Sequence, residues 1–190
     1  VPVHDEDGAA NTLIYVIAHK SRDAAKASWK GFVGDPEWHA ARDASEANGK
    51  ILAEKPESVF MKATDYSPPV KTGVESPERM FLLRTYLAAE GKLPALHSRF
   101  RDHTVALFSK HGMNHVGYWE PTDEEAGAGS KLIYILSVPS EESGEASFAS
   151  FRQDPEWEKV KEESEKDGSL TAPKGVKGIY MKPVDFSPLR

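Results

Sequence analysis

Residues 79–119, RMFLLRTYLAAEGKLPALHSRFRDHTVALFSKHGMNHVGYW, are the one long stretch of the chain that occurs once. A second segment occurs on both sides of it. LIYVIAH at 13–19, DPEW at 35–38 and MKATDYSP at 61–68 precede it. LIYILSV at 132–138, DPEW at 154–157 and MKPVDFSP at 181–188 follow it, at a constant offset until one residue is inserted near Pro173. The unique stretch therefore decides what the copies can build. Met80–Tyr86 alternates as a strand does, with Phe81, Leu83 and Thr85 on one face and Leu82, Arg84 and Tyr86 on the other. Gly91 precedes a predicted helix from Leu93 to about Lys110, in which Leu93, Leu96, Phe100, Thr104, Leu107 and Phe108 share one stripe. Gly112 stops that helix, and Val116–Trp119 is a short strand. The plan is strand, helix, strand.

Each flanking copy has a matching grammar. Thr12–Ala18 and Lys131–Val138 are short runs of Ile, Leu, Val and Tyr bounded by Gly, Ser or Pro, which predicts buried strands. Ser21 or Ser140 then leads a segment with Ala27, Trp29 and Phe32, or Ala146, Phe148 and Phe151, at helical spacing. DPEW opens a second helix, because Asp35 or Asp154 can cap free amides while Pro takes the first helical position. Asn48-Gly49 and Asp167-Gly168 end these helices, and Val59–Ala63 or Gly178–Pro183 closes each copy as a strand. Joined to 79–119, the downstream copy gives βαββαβ, an α+β, ferredoxin-like plan.

The expected organisation is thus a half-repeat at 1–68, a linker at 69–78 and a complete domain at 79–190. Residues 1–10 align with 120–129, so the chain opens in the middle of a repeat unit. Leu13, Ile14, Val16, Ile17, Val59 and Phe60 of the half need cover from outside it. The complete domain, a second copy of the chain and an upstream segment of about 50 residues are the three candidates, and the last is the expected one.

Composition narrows the function classes. With 39% hydrophobic and 28% charged residues the chain reads as globular, and a net charge of −6 without a basic block does not fit a nucleic-acid footprint. No apolar run approaches the roughly 20 residues a spanning helix needs. With no Cys, thiolate nucleophiles and sulfur-ligated metals are excluded, and neither an oxidising nor a reducing compartment is selected; a cytoplasmic location is the default expectation.

FLLRTY at 81–86, GKLPAL at 91–96, RFRDHT and LFSKHGM within 99–113, and HVGYW at 115–119 together resemble the NIPSNAP family. The resemblance covers 79–188, and 11–68 is similar to the second half of the same domain. It implies a dimeric α/β barrel, in which two four-stranded sheets pack face to face with their helices outside. It also implies tandem domains, of which this chain holds one and a half. It brings no agreed catalytic mechanism. The function implied is binding or interaction through barrel sheet faces, with an intramolecular or homo-oligomeric partner. The alternative is a small-molecule enzyme of the same barrel type, a cofactor-independent monooxygenase or an isomerase.

Candidate site residues follow from chemistry. Arg84 and Tyr86 share a strand face that points into the barrel if Leu83 faces the helices. A guanidinium there needs an anion, either a ligand or, more commonly, a carboxylate of the partner sheet. His97, His103, His111 and His115 cluster in the unique stretch, but no pair has the i, i+4 spacing of a helical metal site, and none is assignable as a haem ligand. No metal or cofactor is expected. His103, between Phe100 and Leu107 on the edge of the buried stripe, is the candidate acid–base group, with core packing as its commoner role. Tyr118 and Trp119 end a strand; Tyr118 joins His103 and Arg84 as a catalytic candidate, and Trp119 joins Arg84 and Tyr86 as a ligand-binding one, although aromatics there are more often core or interface anchors.

Overall fold

A computed structural model describes residues 1–9, 11–73 and 79–190. In chain order its elements are α1 (Arg22–Val33), α2 (Pro36–Ser45), β1 (Met61–Ala63), β2 (Met80–Ala88), α3 (Leu93–Arg99), a π-helical turn (Phe100–Thr104), α4 (Val105–Lys110), β3 (Asn114–Pro121), β4 (Lys131–Val138), α5 (Glu141–Arg152), α6 (Pro155–Ser164) and β5 (Thr171–Met181). They fall into two compact units, Val1–Ile14 with Met61–Arg190, and Tyr15–Phe60.

The larger unit contains the βαββαβ plan. Its antiparallel strands lie in the order β1-β3-β4-β2-β5, so β2 sits between β4 and β5, and β1 adds at the outer edge of β3. Helices cover one face. Leu82, Tyr134, Leu136 and Tyr118 from the strands meet Leu96, Phe100, Leu107, Phe108, Phe148 and Phe151 from the helices in the main core. Phe81, Val116, Ile135 and Met181 cluster on the opposite face.

The expected helix is present, and all six residues of its stripe are buried. Its middle departs from α geometry: the Val105 N–H reaches back five residues to the Phe100 carbonyl. This wider turn keeps Phe100 and Thr104 both inward and rotates His103, which lies between them, out to solvent. Both DPEW starts are capped as expected: Asp35 accepts from the Glu37 amide at 2.8 Å and Asp154 from the Glu156 amide at 2.9 Å.

Three strand expectations are corrected. Residues 12–18 form no ladder among the described residues, and Leu13, Tyr15, Val16 and Ile17 are exposed. The equivalent β4 is a strand because β2 and β3 flank it and pair its amides; apolar content without such neighbours does not make a ladder. The predicted Val59–Ala63 strand shortens to Met61–Ala63, held only by β3. The predicted Gly178–Pro183 strand begins earlier, at Thr171, because β2 offers partners back to Ala88. Of the expected linker, residues 74–78 lie outside the described residues.

The two sheet edges repeat one pairing. At one edge Met61 stands opposite Pro121. At the other Met181, the counterpart of Met61, bridges Pro2, the counterpart of Pro121. Val1 and Lys182 extend that bridge: the Val1 amino group donates to the Lys182 carbonyl at 2.7 Å and the Lys182 backbone amide to the Val1 carbonyl at 2.8 Å.

In the smaller unit α1 and α2 pack Phe32 on Trp38 at 4.5 Å and 35°. Their counterparts on α5 and α6, Phe151 and Trp157, stack at 4.4 Å and 37°. The local geometry repeats but the cover differs: Phe151 is 5% exposed and Phe32 is 43% exposed.

Candidate functional site

Strand parity places Arg84 with Leu82 and Tyr86, and the helices lie on that side. Leu83 packs with Phe81 on the other face. The expectation that Arg84 and Tyr86 point into a barrel is therefore corrected: they point to the helix side, Arg84 against Phe148 of α5 and Tyr86 against Phe100 of the π turn. The pleat alternates side chains but does not say which face receives the helices.

Arg84 lies where β2 pairs with Tyr134 of β4 on one side and Gly178 of β5 on the other. Its guanidinium lies over the rings of Phe148 at 5.1 Å and Tyr86 at 5.5 Å. Among the described residues its one hydrogen bond is long, 3.4 Å from Nη2 to the Tyr86 hydroxyl. Nε is buried without a partner, and so is the Tyr134 hydroxyl. Among the described residues no carboxylate forms an ion pair with Arg84, so the salt bridge that such a residue more commonly makes is missing. Gly178 is the reason the side chain fits, since a Cβ there would stand 2.7 Å from Arg84 Nη1.

A cleft of about 480 Å³ opens beside this guanidinium, lined by Leu82, Glu145, Phe148, Arg152, Gly178 and Tyr180. A smaller cavity of about 280 Å³ shares Arg84, Phe148 and Arg152 with it and runs on past Tyr86, Trp157 and Lys161. Arg99 also borders the smaller cavity, but its Nη1 is held by Glu165 at 2.8 Å. Burial pushes the Tyr180 phenol up from its usual range, and Glu145 and Glu141 add to the shift. The Tyr134 phenol is pushed far up by burial and stays protonated. Arg152, Tyr180 and Gly178 were not legible as site residues, because only the β2–β5 register and the α5 packing bring them to Arg84.

The other candidates lie elsewhere. His103 is exposed, which corrects its expected place on the buried edge. His103→Gln is expected to leave the melting temperature within about 1 °C of the parent by calorimetry, as for other exposed substitutions. Tyr118 is fully buried, its hydroxyl 2.6 Å from His115 Nδ1, while Ser109 Oγ lies 2.7 Å from Nε2. Burial lowers the pKa of His115. Trp119 is half-buried in the opposite cluster. Arg84, His103 and Tyr118 therefore do not come together in either cavity: Arg84 lines both, Tyr86 lines the smaller, and His103 and Tyr118 line neither.

His97, which drew no role in sequence, joins the MKATDYSP segment to α3. The Tyr66 hydroxyl lies 2.7 Å from its Nδ1, and Glu120 stands 3.3 Å from its Nε2 without hydrogen-bond alignment. Asp65 and Arg101 clamp the same segment with two bonds of 2.7 and 2.8 Å. His111 caps the C-terminus of α4 and bridges Ser150 at 2.9 Å and Asp154 at 2.7 Å. Among the described residues no group of three His, Asp or Glu converges as metal ligands would, and no helix is long and apolar enough to cross a membrane.

A four-stranded βαββαβ sheet with helices on one face defines an α+β, ferredoxin-like protein, here with a fifth strand at one edge. The NIPSNAP family model matches residues 81–188, more than half of the chain, and the chain belongs to that family. Among solved structures it is similar to a NIPSNAP family protein of unknown function from Agrobacterium tumefaciens, at 23% identity and TM-score 0.50, over 61% of this chain and 97% of that one. Another NIPSNAP family protein of the same organism is similar at 21% identity and TM-score 0.52, over 64% of this chain and 99% of the other. No curated protein matches it.

Proposed function

We propose that this NIPSNAP protein is a binding and assembly protein that docks its helix-free sheet face on the same face of a second copy, the two sheets closing a barrel with helices outside. The observation that carries this reading is an apolar row across that face. Ile135, Leu83 and Ile179 stand side by side on β4, β2 and β5, with Phe81, Val116, Met181 and Trp119 around them. An antiparallel sheet with helices on one face ordinarily turns polar residues to water on the other, so an apolar row there calls for cover. Ile14 and Leu189 lie against the cluster, yet Leu83, Trp119 and Ile179 stay only partly buried.

Residues 1–68 are read as the second half of a first domain of the same kind. The repeated edge pairing supports this, as do the aromatic pairs that α1–α2 and α5–α6 share. Nothing in the geometry favours an enzymatic reading, since the three catalytic candidates do not meet.

Light scattering after gel filtration tests the assembly. The chain is expected as a dimer or larger at micromolar concentration, and the double variant Leu83→Lys, Ile179→Lys as a monomer with unchanged circular dichroism. A monomeric parent chain would refute the sheet-face reading.

A further inference from the structure

The cleft beside Arg84 has the composition of a ligand site on the face that assembly leaves outside. We propose that it binds a small carboxylate with an apolar body, the carboxylate held by the Arg84 guanidinium and the body lying along Leu82, Phe148 and Tyr180.

Arg84 carries the charge argument. A guanidinium on the covered face of a sheet ordinarily finds a carboxylate, because an unpaired charge away from water is costly. Arg84 is half-buried, and among the described residues it has aromatic faces, one long bond to a phenol and a buried Nε without an acceptor. Gly178, on the cleft wall, leaves the space in which the group sits, and Gly144 leaves room for the Tyr180 hydroxyl, from which a Cβ there would stand 2.7 Å. The surroundings reinforce the sign. Arg152 borders both cavities and Lys161 the smaller one, and neither is in an ion pair with a described residue; Glu145 opposes them, and Glu165 is already paired with Arg99. This basic cluster sits in a chain whose net charge is −6.

The donor set selects the class of anion. The backbone around Arg84 is committed to ladders on both sides, toward Tyr134 and toward Gly178, so the amide cradle typical of phosphate sites is absent at this point. What remains is one planar guanidinium fork, which matches the two oxygens of a carboxylate. The phenols of Tyr86 and Tyr134 lie beside it. A volume of about 480 Å³ falls within the ordinary range for small-molecule sites. Leu82, Phe148, Ala149 and Tyr180 form the apolar part of its wall, which suits an aryl or short alkyl body.

Isothermal calorimetry with benzoate, octanoate, methyl benzoate and inorganic phosphate on the full chain tests this. Benzoate or octanoate is expected to bind about tenfold or more tighter than methyl benzoate and phosphate, the usual scale for a charge-assisted hydrogen bond. Arg84→Met is expected to weaken the carboxylate by a similar factor while melting at the parent temperature or above it, because the substitution also removes an unpaired charge. Arg84→Lys keeps the charge but not the fork and should recover only part of the affinity. Equal affinity for the ester, stronger binding of phosphate, an unaffected Arg84→Met variant, or no binding of either carboxylate would each overturn the proposal. None of these outcomes depends on the oligomeric state, so failure here and failure of the sheet-face reading are separable.

Discussion

Phe108→Ala is expected to destabilise the larger unit by about 3–5 kcal/mol, the range for deleting a buried Phe side chain. Phe108 is 1% exposed and touches four rings: Phe100 at 6.1 Å, Tyr134 at 6.0 Å, Phe148 at 5.6 Å and Phe151 at 5.0 Å. Those neighbours come from the π turn, the central strand β4 and α5, so one side chain ties both helical segments on this face to the sheet. Rings locked edge-to-face on three sides collapse poorly into the space a phenyl leaves, which puts the cost toward the cavity-forming end. Urea unfolding followed by circular dichroism measures it. Phe186→Ala is the control within the same unit. Phe186 is 73% exposed, and its loss should stay within about 0.5 kcal/mol. A Phe108→Ala cost below the Phe186→Ala cost would mean that the aromatic cluster is not the core of this unit.

Much of this core was legible in sequence. The stripe from Leu93 to Phe108 could be read because the π turn lengthens the helix without breaking its apolar side, and β4 because a run of Ile, Leu and Tyr ends cleanly at Gly129-Ser130 and Pro139. The two Asp-Pro caps were legible because capping is local chemistry. What failed was long-range or fine-grained. A regular helical wheel puts His103 on the stripe's edge, and only the five-residue turn moves it away. Alternation correctly put Arg84 with Leu82 and Tyr86, but the side on which the helices lie depends on how the chain crosses the sheet. Residues 13–19 align with 132–138, with the same Leu-Ile-Tyr start and similar apolar content, and still form no strand among the described residues, because a ladder needs neighbours that a sequence window does not contain. The cleft was half legible: an arginine in a strand invites an anion, whereas Gly178, Tyr180 and Arg152 become its neighbours only through register and packing.

The two Asp-Pro caps, alike in sequence, are expected to differ in stability. Asp35→Ala should cost about 1 kcal/mol, the ordinary value of an N-cap, since Asp35 accepts the Glu37 amide and is in no ion pair with a described residue. Asp154→Ala should lower the melting temperature by roughly double the Asp35→Ala shift, because charge-assisted bonds add to the cap. Asp154 is buried, and its second oxygen lies 2.7 Å from both Lys110 Nζ and His111 Nε2. Those two bonds, Lys110 first, together with the Glu156 amide, hold the Asp154 carboxyl well below the usual carboxylate range. A depressed folded pKa means that this stabilisation is complete above the unfolded value near 3.9 and is lost as pH falls through the lower folded value. Histidines give the first acid step: burial depresses His97 and His115, so the unfolded chain takes up protons before the folded one, and stability declines as pH drops below about 6.5. Asp154→Asn separates cap from charge, because Asn caps as well as Asp but cannot pair with Lys110. Calorimetric melting between pH 7 and pH 2 is expected to show both steps in the parent chain. In Asp154→Asn the histidine step should remain and the step below pH 4 should be smaller. An Asp154→Asn variant whose acid profile superimposes on the parent's would show that Lys110 and His111 contribute nothing to the folded state through this carboxylate.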